Sequence, residues 1–444
     1  MKRLFGTDGI RAVAGEPPLD PPTVRRFGVA LAEVLQDGAP ARRVVLGRDT
    51  RESGVWLRDA VAAGLGSRGI DGVDAGVIST PGLAHIVRAG GFGAGVMISA
   101  SHNPFQDNGL KAFGADGAKL PDSAERRIEE LILDHGLDDP GERSGAPVHD
   151  ALLVERYITR LESVLAPNRL AGLRLVIDCA NGAAATIAPR VLGRYGASVD
   201  AIGIEPNGRN INLGCGSLHT DVLAARVRES RADAGLAFDG DADRCLAVDA
   251  KGRIVDGDHI LFIAGRRLKR DERLRGDALV ATIMSNFWLE EQLEREGVRL
   301  HRAPVGDKYV LEKMLAEDLV LGGEQSGHVI FREFATTGDG ILTGLFLLDA
   351  VVDGPTLDAI LDDIRPYPQE TVSVRVRRKP DLRAHPRIGP LVQATEAALD
   401  GCGRVVLRYS GTEPLARVMI EGRDAASVRR LVIELARVIE EELG

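Results

Sequence analysis

Residues 73–100 read VDAGVISTPGLAHIVRAGGFGAGVMISA, with two short apolar runs on either side of an amphipathic stretch. The outer runs, 73–78 and 94–98, have the length of strands, and residues 81–90 repeat apolar side chains at helical spacing. A helix that connects two strands of one sheet makes those strands parallel. The stretch therefore predicts an α/β layer fold, in which parallel strands alternate with helices.

The same alternation extends on both sides of this stretch. A helical pattern follows the prolines at 21–22 and leads to the strand-like RVVLG of residues 43–47. The polar residues 137–150 and the proline-containing hinge 364–370 interrupt the pattern, and alternating apolar and polar residues follow the hinge. We therefore predict three α/β domains, 1–150, 151–255 and 256–366, and a smaller C-terminal α+β domain, 367–444.

Length and charge narrow the class of protein. A chain of 444 residues is too long for one core. Its net charge of −9 argues against a general nucleic-acid binder and requires a local basic site for any anionic substrate. Glycine or charge interrupts every apolar run before membrane-spanning length, and the N-terminus lacks the apolar core of a signal peptide. These features predict a cytoplasmic protein that binds neither nucleic acid nor membrane.

The run FDGDADR places Asp239, Asp241 and Asp243 at alternate positions after an apolar strand. Alternate side chains of extended backbone share a face, so we expect the three carboxylates to converge on one cation. Oxygen ligands suit Mg²⁺ or Mn²⁺, with a phosphate oxygen completing the shell. An EF-hand is excluded, because Arg244 and Ala250 stand where that loop needs glycine and glutamate. A solvated acidic turn is the alternative.

The run ISASHNPFQDNGLK, residues 98–111, carries two serines and a histidine. No G-x-S-x-G elbow is present, and alone Ser101 is more typical of a turn or a helix cap than of a nucleophile. His102 need not face it, because neighbouring side chains diverge in extended backbone. Beside a metal, however, Ser101 is well placed to carry a phosphoryl group, with Lys111 as proton shuttle or phosphate contact. Ser99 is the weaker candidate, since it lies on the strand.

The run GGEQSGH, residues 322–328, places Glu324, Ser326 and His328 at alternate positions of a strand-like segment with glycines between them. An acceptor, a hydroxyl and an imidazole on one edge suit the hydroxyls of a sugar. A plain polar strand edge explains the same pattern, and the residues alone leave both interpretations open.

The run LRYSGTEPLAR, residues 407–417, surrounds a glycine turn with two arginines and two hydroxyls. Backbone N–H groups, hydroxyls and guanidinium forks together bind phosphate. A structural glycine turn is the alternative, but arginine on both sides favours phosphate. This loop is the local basic site expected in an acidic protein.

These loops, in this order, resemble those of the α-D-phosphohexomutase superfamily over the whole chain. The resemblance is carried by FGTDGIR, ISASHNPFQDNGLK, DGDADR, VGDKYV, GGEQSGH and RYSGTEP. It implies four domains around one cleft, a phosphoserine at Ser101, and one Mg²⁺ held by that phosphoserine and the three aspartates. Two positions depart from the usual motifs: Ala12 stands where glycine commonly follows GIR, and Lys308 stands where arginine is usual.

The resemblance also assigns residues to roles. The catalytic residues are Ser101, His102, Lys111 and Arg11. The substrate-binding residues are Arg244, Gly306, Asp307, Glu324, Ser326 and His328. The phosphate-binding residues are Arg408, Ser410, Gly411, Thr412 and Arg417, and the metal ligands are Ser101, Asp239, Asp241 and Asp243.

Within the superfamily, the loops are most similar to those of members that act on glucosamine phosphate. The resemblance implies reversible conversion of glucosamine 6-phosphate to glucosamine 1-phosphate, with glucosamine 1,6-bisphosphate as intermediate and activator. The product would feed the synthesis of UDP-N-acetylglucosamine and cell-wall precursors. Phosphomannomutase/phosphoglucomutase activity is the alternative, and a metal phosphatase or a non-catalytic sugar-phosphate sensor are rivals from other classes. The expected partner is a small sugar phosphate, and we expect a monomer or a homodimer.

Overall fold

The computed structural model describes residues 4–6, 8–36, 43–133, 136–141, 146–410 and 414–444. Among the residues so described, the strands form four sheets that follow one another along the chain. Helices separate most of the strands, as the alternation of apolar runs and helical patterns predicts.

The first sheet contains the stretch 73–100. Its strands are β1 (Ile10–Val13), β2 (Arg43–Arg48), β3 (Asp71–Val77), β4 (Ala94–Ile98), β5 (Asp107–Gly114) and β6 (Val148–His149). Its helices are α1 (Pro21–Gln36), α2 (Gly54–Ser67), α3 (Thr80–Gly90), α4 (Asp122–Leu133) and α5 (Leu152–Leu161). In the order β1-β5-β4-β2-β3-β6, β3 and β4 run parallel to β2, whereas β5 is antiparallel to β4 and β1. The predicted strand–helix–strand unit is therefore confirmed.

The second sheet is arranged like the first, with parallel strands in its centre and an antiparallel strand towards one edge. Its strands are β7 (Arg174–Asp178), β8 (Ser198–Ile202), β9 (Ala234–Phe238), β10 (Cys245–Asp249) and β11 (Ile254–Val255), and its helices are α6 (Ala188–Arg194) and α7 (Thr220–Ser230). In the order β11-β10-β9-β7-β8, β8 and β9 run parallel to β7, while β10 turns back along β9.

The third sheet repeats this arrangement. Its strands are β12 (Ala278–Thr282), β13 (Arg299–Ala303), β14 (Leu321–Gly323) and β15 (Val329–Phe331), in the order β13-β12-β14-β15. Its helices are α8 (Gly257–Arg270), α9 (Phe287–Arg295), α10 (Asp307–Ala316), α11 (Gly340–Val352) and α12 (Leu357–Asp363). The prediction that residues 322–328 are strand-like is wrong in one respect, because residues 324–328 form a turn between β14 and β15.

The fourth sheet differs from the others because all its strands are antiparallel. Its strands are β16 (Gln369–Arg375), β17 (Gly403–Tyr409) and β18 (Leu415–Gly422), in the order β16-β18-β17, and its helices are α13 (Ile388–Ala398) and α14 (Ala425–Leu443). The apolar face of α14, with Val428, Leu435 and Ile439, belongs to a core that this unit forms by itself. The predicted α+β character of the C-terminal unit is confirmed.

Helices α1 and α2 of the first unit touch through two glycines, Gly28 and Gly64. A Cβ atom on Gly64 would overlap the carbonyl oxygen of Arg25 and come within 2.8 Å of the Cα of Gly28. We expect Gly64→Ala to destabilise the folded protein by about 1–3 kcal/mol, because the two helices would have to move apart. The midpoint of thermal unfolding measures the change.

Gly66 is the matched control on the same helix. A Cβ atom there meets nothing within 4 Å. Gly66→Ala is expected to leave the midpoint unchanged or to raise it, because alanine favours a helix over glycine by up to about 1 kcal/mol. Equal midpoints for the two variants would contradict the tight packing of α1 on α2.

No single helix in the described part of the chain is long and apolar enough to cross a membrane. Helices α11 and α12 pass that test of length and composition only as a pair, and they are bent by 83° at their break. Most apolar side chains of α11, among them Leu345 and Leu348, are buried inside the protein.

Candidate active site

The loops that were predicted to carry chemistry follow the carboxyl ends of strands. Ser101 comes shortly after β4, Asp239 directly after β9, Glu324 directly after β14 and Ser410 directly after β17. In open α/β sheets, ligands bind at the carboxyl ends of the strands. The first three of these loops therefore lie at the edge of each sheet where a site is expected.

Ser101 is buried, and its φ of 53° places the backbone in the left-handed region, which residues other than glycine rarely adopt. Its Oγ donates a hydrogen bond to Asp239 Oδ2 at 2.5 Å, and His102 Nδ1 lies 3.1 Å from the same Oγ. The sequence left open whether His102 faces Ser101, and the two side chains meet because the backbone is not extended at Ser101. Such strain is found at sites where a side chain must be held in one direction.

Several buried side chains hold the Ser101 loop in place. The Ser101 N–H donates to Ser99 Oγ at 2.9 Å, so Ser99 supports the loop. The Ser101 carbonyl accepts from Arg51 Nη2 at 3.2 Å and from Asn212 Nδ2 at 2.9 Å. The Arg51 side chain is itself buried in an ion pair with Asp49. The direction of the Ser101 hydroxyl is thus set by residues of the first two sheets.

The aspartates of the DGDADR run converge as expected, but for a different reason. One carboxylate oxygen from each of Asp239, Asp241 and Asp243 lies within 4.8 Å of the others, and all three residues are buried. The backbone between them is a turn, with Ala242 at a φ of 54°, and not the extended segment that the sequence suggested. The turn, and not the alternation of a strand, brings the carboxylates together.

One lysine compensates part of this negative charge. Asp241 Oδ2 accepts hydrogen bonds from Lys111 Nζ at 2.7 Å and from Thr80 Oγ1 at 2.5 Å, and Lys111 Nζ lies 3.5 Å from Asp243 Oδ2. Burial lowers the pKa of Lys111, but the two carboxylates raise it further, so its net direction is upward. Burial, with Asp243 and Asp241 nearby, raises the pKa of Asp239 well above its usual range. The pocket therefore favours additional positive charge.

The oxygen atoms of this cluster fit a hard divalent cation. The Oδ1 atoms of Asp241 and Asp243 are buried and, within the described residues, accept no hydrogen bond. An unpartnered buried carboxylate oxygen is costly unless a cation binds it. The three converging carboxylates supply the oxygen ligands that a hard divalent cation prefers, and the Ser101 hydroxyl lies beside the cluster.

Basic side chains also lie near Ser101. Burial, together with Arg244 and Arg11, lowers the pKa of His102 to about 4, so its imidazole is neutral near pH 7. The Nε atoms of Arg11 and Arg244 are buried and have no hydrogen-bond partner among the residues described. These guanidinium groups can bind an anion next to Ser101.

Glu324 connects the loop of residues 322–328, which was predicted to bind a sugar and is called the sugar loop, to a neighbouring segment. Its Oε1 accepts a hydrogen bond from the backbone N–H of Gly306 at 3.0 Å, which joins the GGEQSGH and VGDKYV segments. The Oγ of Ser326 is buried and lacks a hydrogen-bond partner within the described chain. This loop thus offers a hydroxyl and a carboxylate to a polar ligand, and it does so from a turn.

His328 connects the sugar loop to the aspartate cluster. The Gly338 N lies 2.9 Å from its Nε2. Burial lowers the pKa of His328, but Asp243 and Asp307 raise it further, to about 9. Nδ1 is 3.7 Å from Asp243 Oδ2, and Nε2 is 3.6 Å from Asp307 Oδ2. The histidine therefore touches both the second and the third unit of the chain.

In the fourth sheet, two arginines lie side by side next to the loop between β17 and β18, which was predicted to bind phosphate. Arg408 on β17 is directly opposite Arg417 on β18. Burial and the charge of Arg417 lower the pKa of Arg408. Such a pair of cations is stabilised by an anion between them. Ser410 follows at the end of β17 and is buried, while Gly411 and Thr412 lie outside the described residues.

The contacts place most of the predicted residues in two groups, and Ser326 Oγ makes no hydrogen bond within the described residues. The first joins the first three sheets and contains Ser101, His102, Lys111, Arg11, Asp239, Asp241, Asp243, Arg244, Gly306, Asp307, Glu324 and His328. The second lies on the fourth sheet and contains Arg408, Ser410 and Arg417.

Sequence reasoning missed three residues that support the site. Thr80 and Arg51 follow the carboxyl ends of β3 and β2, the same signal that identified Ser101. Asn212 lies in a glycine- and asparagine-rich loop. The composition of this loop was the only indication in the sequence that it lies close to another part of the chain. Of the two departures, Ala12 pairs with Asn108 across β1 and β5, and Lys308 makes an exposed ion pair with Asp122.

Models of one protein family cover most of the chain. All four carry the description phosphoglucomutase/phosphomannomutase: alpha/beta/alpha domain I matches residues 2–137, domain II 155–252, domain III 256–367 and the C-terminal domain 372–438. The predicted four-domain α/β architecture is thereby confirmed.

Solved structures share this fold at low sequence identity. A phosphoglucomutase/phosphomannomutase family protein from Burkholderia thailandensis has a TM-score of 0.79 at 24% identity, covering 99% of this chain and 98% of that one. The N-acetylphosphoglucosamine mutase of Aspergillus fumigatus, solved in complex with GlcNAc-6P and magnesium, has a TM-score of 0.66 at 17% identity, covering 100% and 96% of the two chains.

Curated relatives are much more similar in sequence. The phosphoglucosamine mutase of Solibacter usitatus is 49% identical over 452 residues, with 100% of this chain and 99% of that protein covered. The phosphoglucosamine mutase of Deinococcus radiodurans is 47% identical over 443 residues, with 99% and 98% covered. With identity of this level over its whole length and with the domain matches above, the chain belongs to the phosphoglucosamine mutase family of the phosphohexomutase superfamily.

Proposed function

We propose that this protein reversibly converts glucosamine 6-phosphate to glucosamine 1-phosphate, with Ser101 as the phosphoryl carrier. The hydrogen bond of Ser101 Oγ to Asp239 Oδ2 at 2.5 Å carries the proposal, because it joins the candidate carrier to a buried carboxylate cluster. Neither a turn nor a helix cap requires that contact. The choice of sugar rests on the names of the curated relatives, which are phosphoglucosamine mutases.

Asp239, Asp241 and Asp243, with a phosphate oxygen on Ser101, are the proposed ligands of one Mg²⁺. Their burial and the unpartnered Oδ1 atoms of Asp241 and Asp243 support this assignment. When bound, Mg²⁺ would neutralise negative charge on the phosphoryl group during its transfer. Lys111 holds Asp241 in place by its 2.7 Å hydrogen bond.

In the first half of the reaction, the bond between phosphorus and Ser101 Oγ breaks and a bond to O1 of glucosamine 6-phosphate forms. The sugar hydroxyl loses a proton and Oγ gains one. His102, with Nδ1 at 3.1 Å from Oγ, and Lys111 are the side chains proposed for these proton transfers. The product of this half is glucosamine 1,6-bisphosphate, which is also the expected activator.

In the second half, the bisphosphate is bound in the opposite orientation. Ser101 Oγ then loses its proton and attacks the phosphorus at O6, the bond to O6 breaks, O6 takes up a proton, and glucosamine 1-phosphate remains. The proposed contacts of the sugar are Arg11, Arg244, Gly306, Asp307, Glu324, Ser326 and His328. Arg408 and Arg417, which face each other across β17 and β18, would hold the phosphate that is not reacting.

A panel of three substrates tests the function. We expect the protein with phosphorylated Ser101 to have a higher kcat/KM for glucosamine 6-phosphate than for glucose 6-phosphate or mannose 6-phosphate, with the matching bisphosphate added as activator. Dominant turnover of mannose or glucose phosphate would instead support the phosphomannomutase/phosphoglucomutase alternative, whose description the family models carry. Release of inorganic phosphate at the rate of isomerisation would indicate a phosphatase.

We also propose domain boundaries at residues 150, 255 and 366, a monomeric or homodimeric state, and a location in the cytoplasm. Limited proteolysis tests the boundaries, and light scattering of the purified protein tests the oligomeric state.

A further inference from the structure

Lys119 lies between two carboxylates from distant parts of the chain. Its Nζ is 3.1 Å from Asp8 Oδ1 and 2.7 Å from Asp307 Oδ2. Asp8 precedes β1 in the first unit, and Asp307 begins α10 in the third. The Lys119 side chain is 17% exposed, that of Asp307 10% and that of Asp8 35%, so water screens the pair with Asp307 only weakly and the pair with Asp8 more strongly. The lysine therefore ties the first unit to the third.

The backbone around Lys119 has a fixed position relative to β5. Lys119 pairs with Phe113 in an isolated antiparallel bridge, and the Leu120 N–H donates to the Ala112 carbonyl at 3.0 Å. Strand β5 also carries Lys111, which holds the aspartate cluster. A movement of Lys119 relative to the aspartate cluster would therefore require β5 to deform.

Each of the two carboxylates that pair with Lys119 also lies close to a residue proposed to contact the substrate. Asp8 Oδ2 lies 3.5 Å from Arg11 Nη2. Asp307 Oδ2 lies 3.6 Å from His328 Nε2. Through Asp8 and Asp307, Lys119 is therefore linked both to an arginine near Ser101 and to a histidine of the sugar loop.

The charges explain why a lysine is needed at this position. Without it, the carboxylates of Asp8 and Asp307 would face each other across a half-buried gap with no cation between them. Like charges repel strongly when they are partly removed from water. Asp8 would also interact more strongly with Arg11 and would compete with substrate phosphate for that guanidinium group.

We propose that Lys119 is a positioning residue of the mutase reaction, which holds Asp8 and Asp307 together and thereby keeps Arg11 and the sugar loop at the separation that the substrate needs. This inference rests on the proposed function. Lys119 itself need not touch the substrate, because its nitrogen is occupied by the two carboxylates. Its loss should therefore weaken the binding of substrate more than it slows the transfer of the phosphoryl group.

Lys119→Met tests the inference, because methionine keeps the length of the side chain and removes its charge. We expect KM for glucosamine 6-phosphate to rise about tenfold or more, while kcat falls by less than about threefold. Lys119→Arg restores the cation, and we expect its KM to lie within about threefold of the wild-type value. The phosphoryl content of Ser101, read from the intact mass, should be the same in all these proteins.

Asp122→Asn is the matched control. Asp122 pairs with Lys308 between the same two units, but the carboxylate is half exposed. Because exposed ion pairs contribute little, we expect its KM to stay within about twofold of wild type. An equal rise of KM in Asp122→Asn and Lys119→Met would mean that any contact between the units has this effect, and it would overturn the special role of Lys119.

The wild-type protein separates this inference from the proposed function. If it fails to convert glucosamine 6-phosphate, the function is wrong. If it converts it and Lys119→Met has an unchanged KM, or a loss in kcat alone, only the role of Lys119 is wrong. Should Lys119→Met not fold, as judged by thermal unfolding, Lys119→Gln takes its place. Equal KM values in Lys119→Gln and Lys119→Arg would then overturn the inference, and a higher value in Lys119→Gln would support it.

Discussion

Ser101→Ala is expected to lower kcat by at least about 10³-fold, because no other group at this position can carry the phosphoryl group between the two ends of the sugar. Alanine removes the Oγ that donates to Asp239 and leaves the backbone of the loop in place. Turnover of glucosamine 6-phosphate measures the loss. Intact mass spectrometry should show that the phosphoryl adduct of the wild-type protein is absent from the variant.

Ser99→Ala is the control for this experiment. Ser99 is buried two residues away, and its Oγ accepts the hydrogen bond of the Ser101 N–H. We expect this variant to keep the phosphoryl adduct and to lose at most about tenfold in kcat, since the change removes hydrogen bonds that support the loop and keeps the Ser101 hydroxyl. Substantial turnover by Ser101→Ala, or an adduct lost from Ser99→Ala and kept in Ser101→Ala, would refute Ser101 as the carrier.

Asp241→Asn is expected to have the second-largest effect. The change removes one negative charge from the aspartate cluster and replaces one oxygen with an amide nitrogen that cannot bind a metal ion. It also weakens the interaction with Lys111, whose ammonium would remain buried beside a neutral side chain. We expect kcat/KM to fall by about 10²-fold or more and the activity to require a higher Mg²⁺ concentration.

Direct titration gives a readout of this site that does not depend on turnover. Calorimetry with Mg²⁺ or Mn²⁺ should show weaker binding to Asp241→Asn than to wild type. Asp233→Asn is the matched control, because Asp233 is an exposed carboxylate just before the opposite end of β9, where it pairs with Arg174. Unchanged metal affinity in Asp241→Asn would rule out the aspartate cluster as the metal site.

Much of the fold could be predicted from local patterns. The run of residues 73–100 forms a strand, a helix and a second strand, and the amphipathic segment near the C-terminus forms α14. These predictions succeed because a buried strand and an amphipathic helix each impose a characteristic spacing of apolar residues. The prediction that residues 322–328 are strand-like is wrong because their alternating pattern, which is typical of a strand, belongs here to a turn at residues 324–328.

The chemical nature of the candidate site was also visible in the sequence, whereas its geometry was not. The side chains of Asp239, Asp241 and Asp243 were expected to converge along a strand and instead converge around a turn at Ala242. The sequence left open whether His102 faces Ser101, and the left-handed backbone brings the two together. A local departure from extended backbone has no periodic signature, so only the structure reveals it.

The sequence by itself determined the α/β class, the separate antiparallel unit at the C-terminus, and the residue types that a phosphoryl-transfer site needs. The tertiary structure alone decided how these residues meet. Asn212 reaches the carbonyl of Ser101, Thr80 holds Asp241, and Lys119 bridges to Asp307. The partners of each contact are more than a hundred positions apart, and their meeting depends on how whole units pack against one another. Apolar periodicity along the chain reports which side of an element is buried, and carries no information about what that element is buried against.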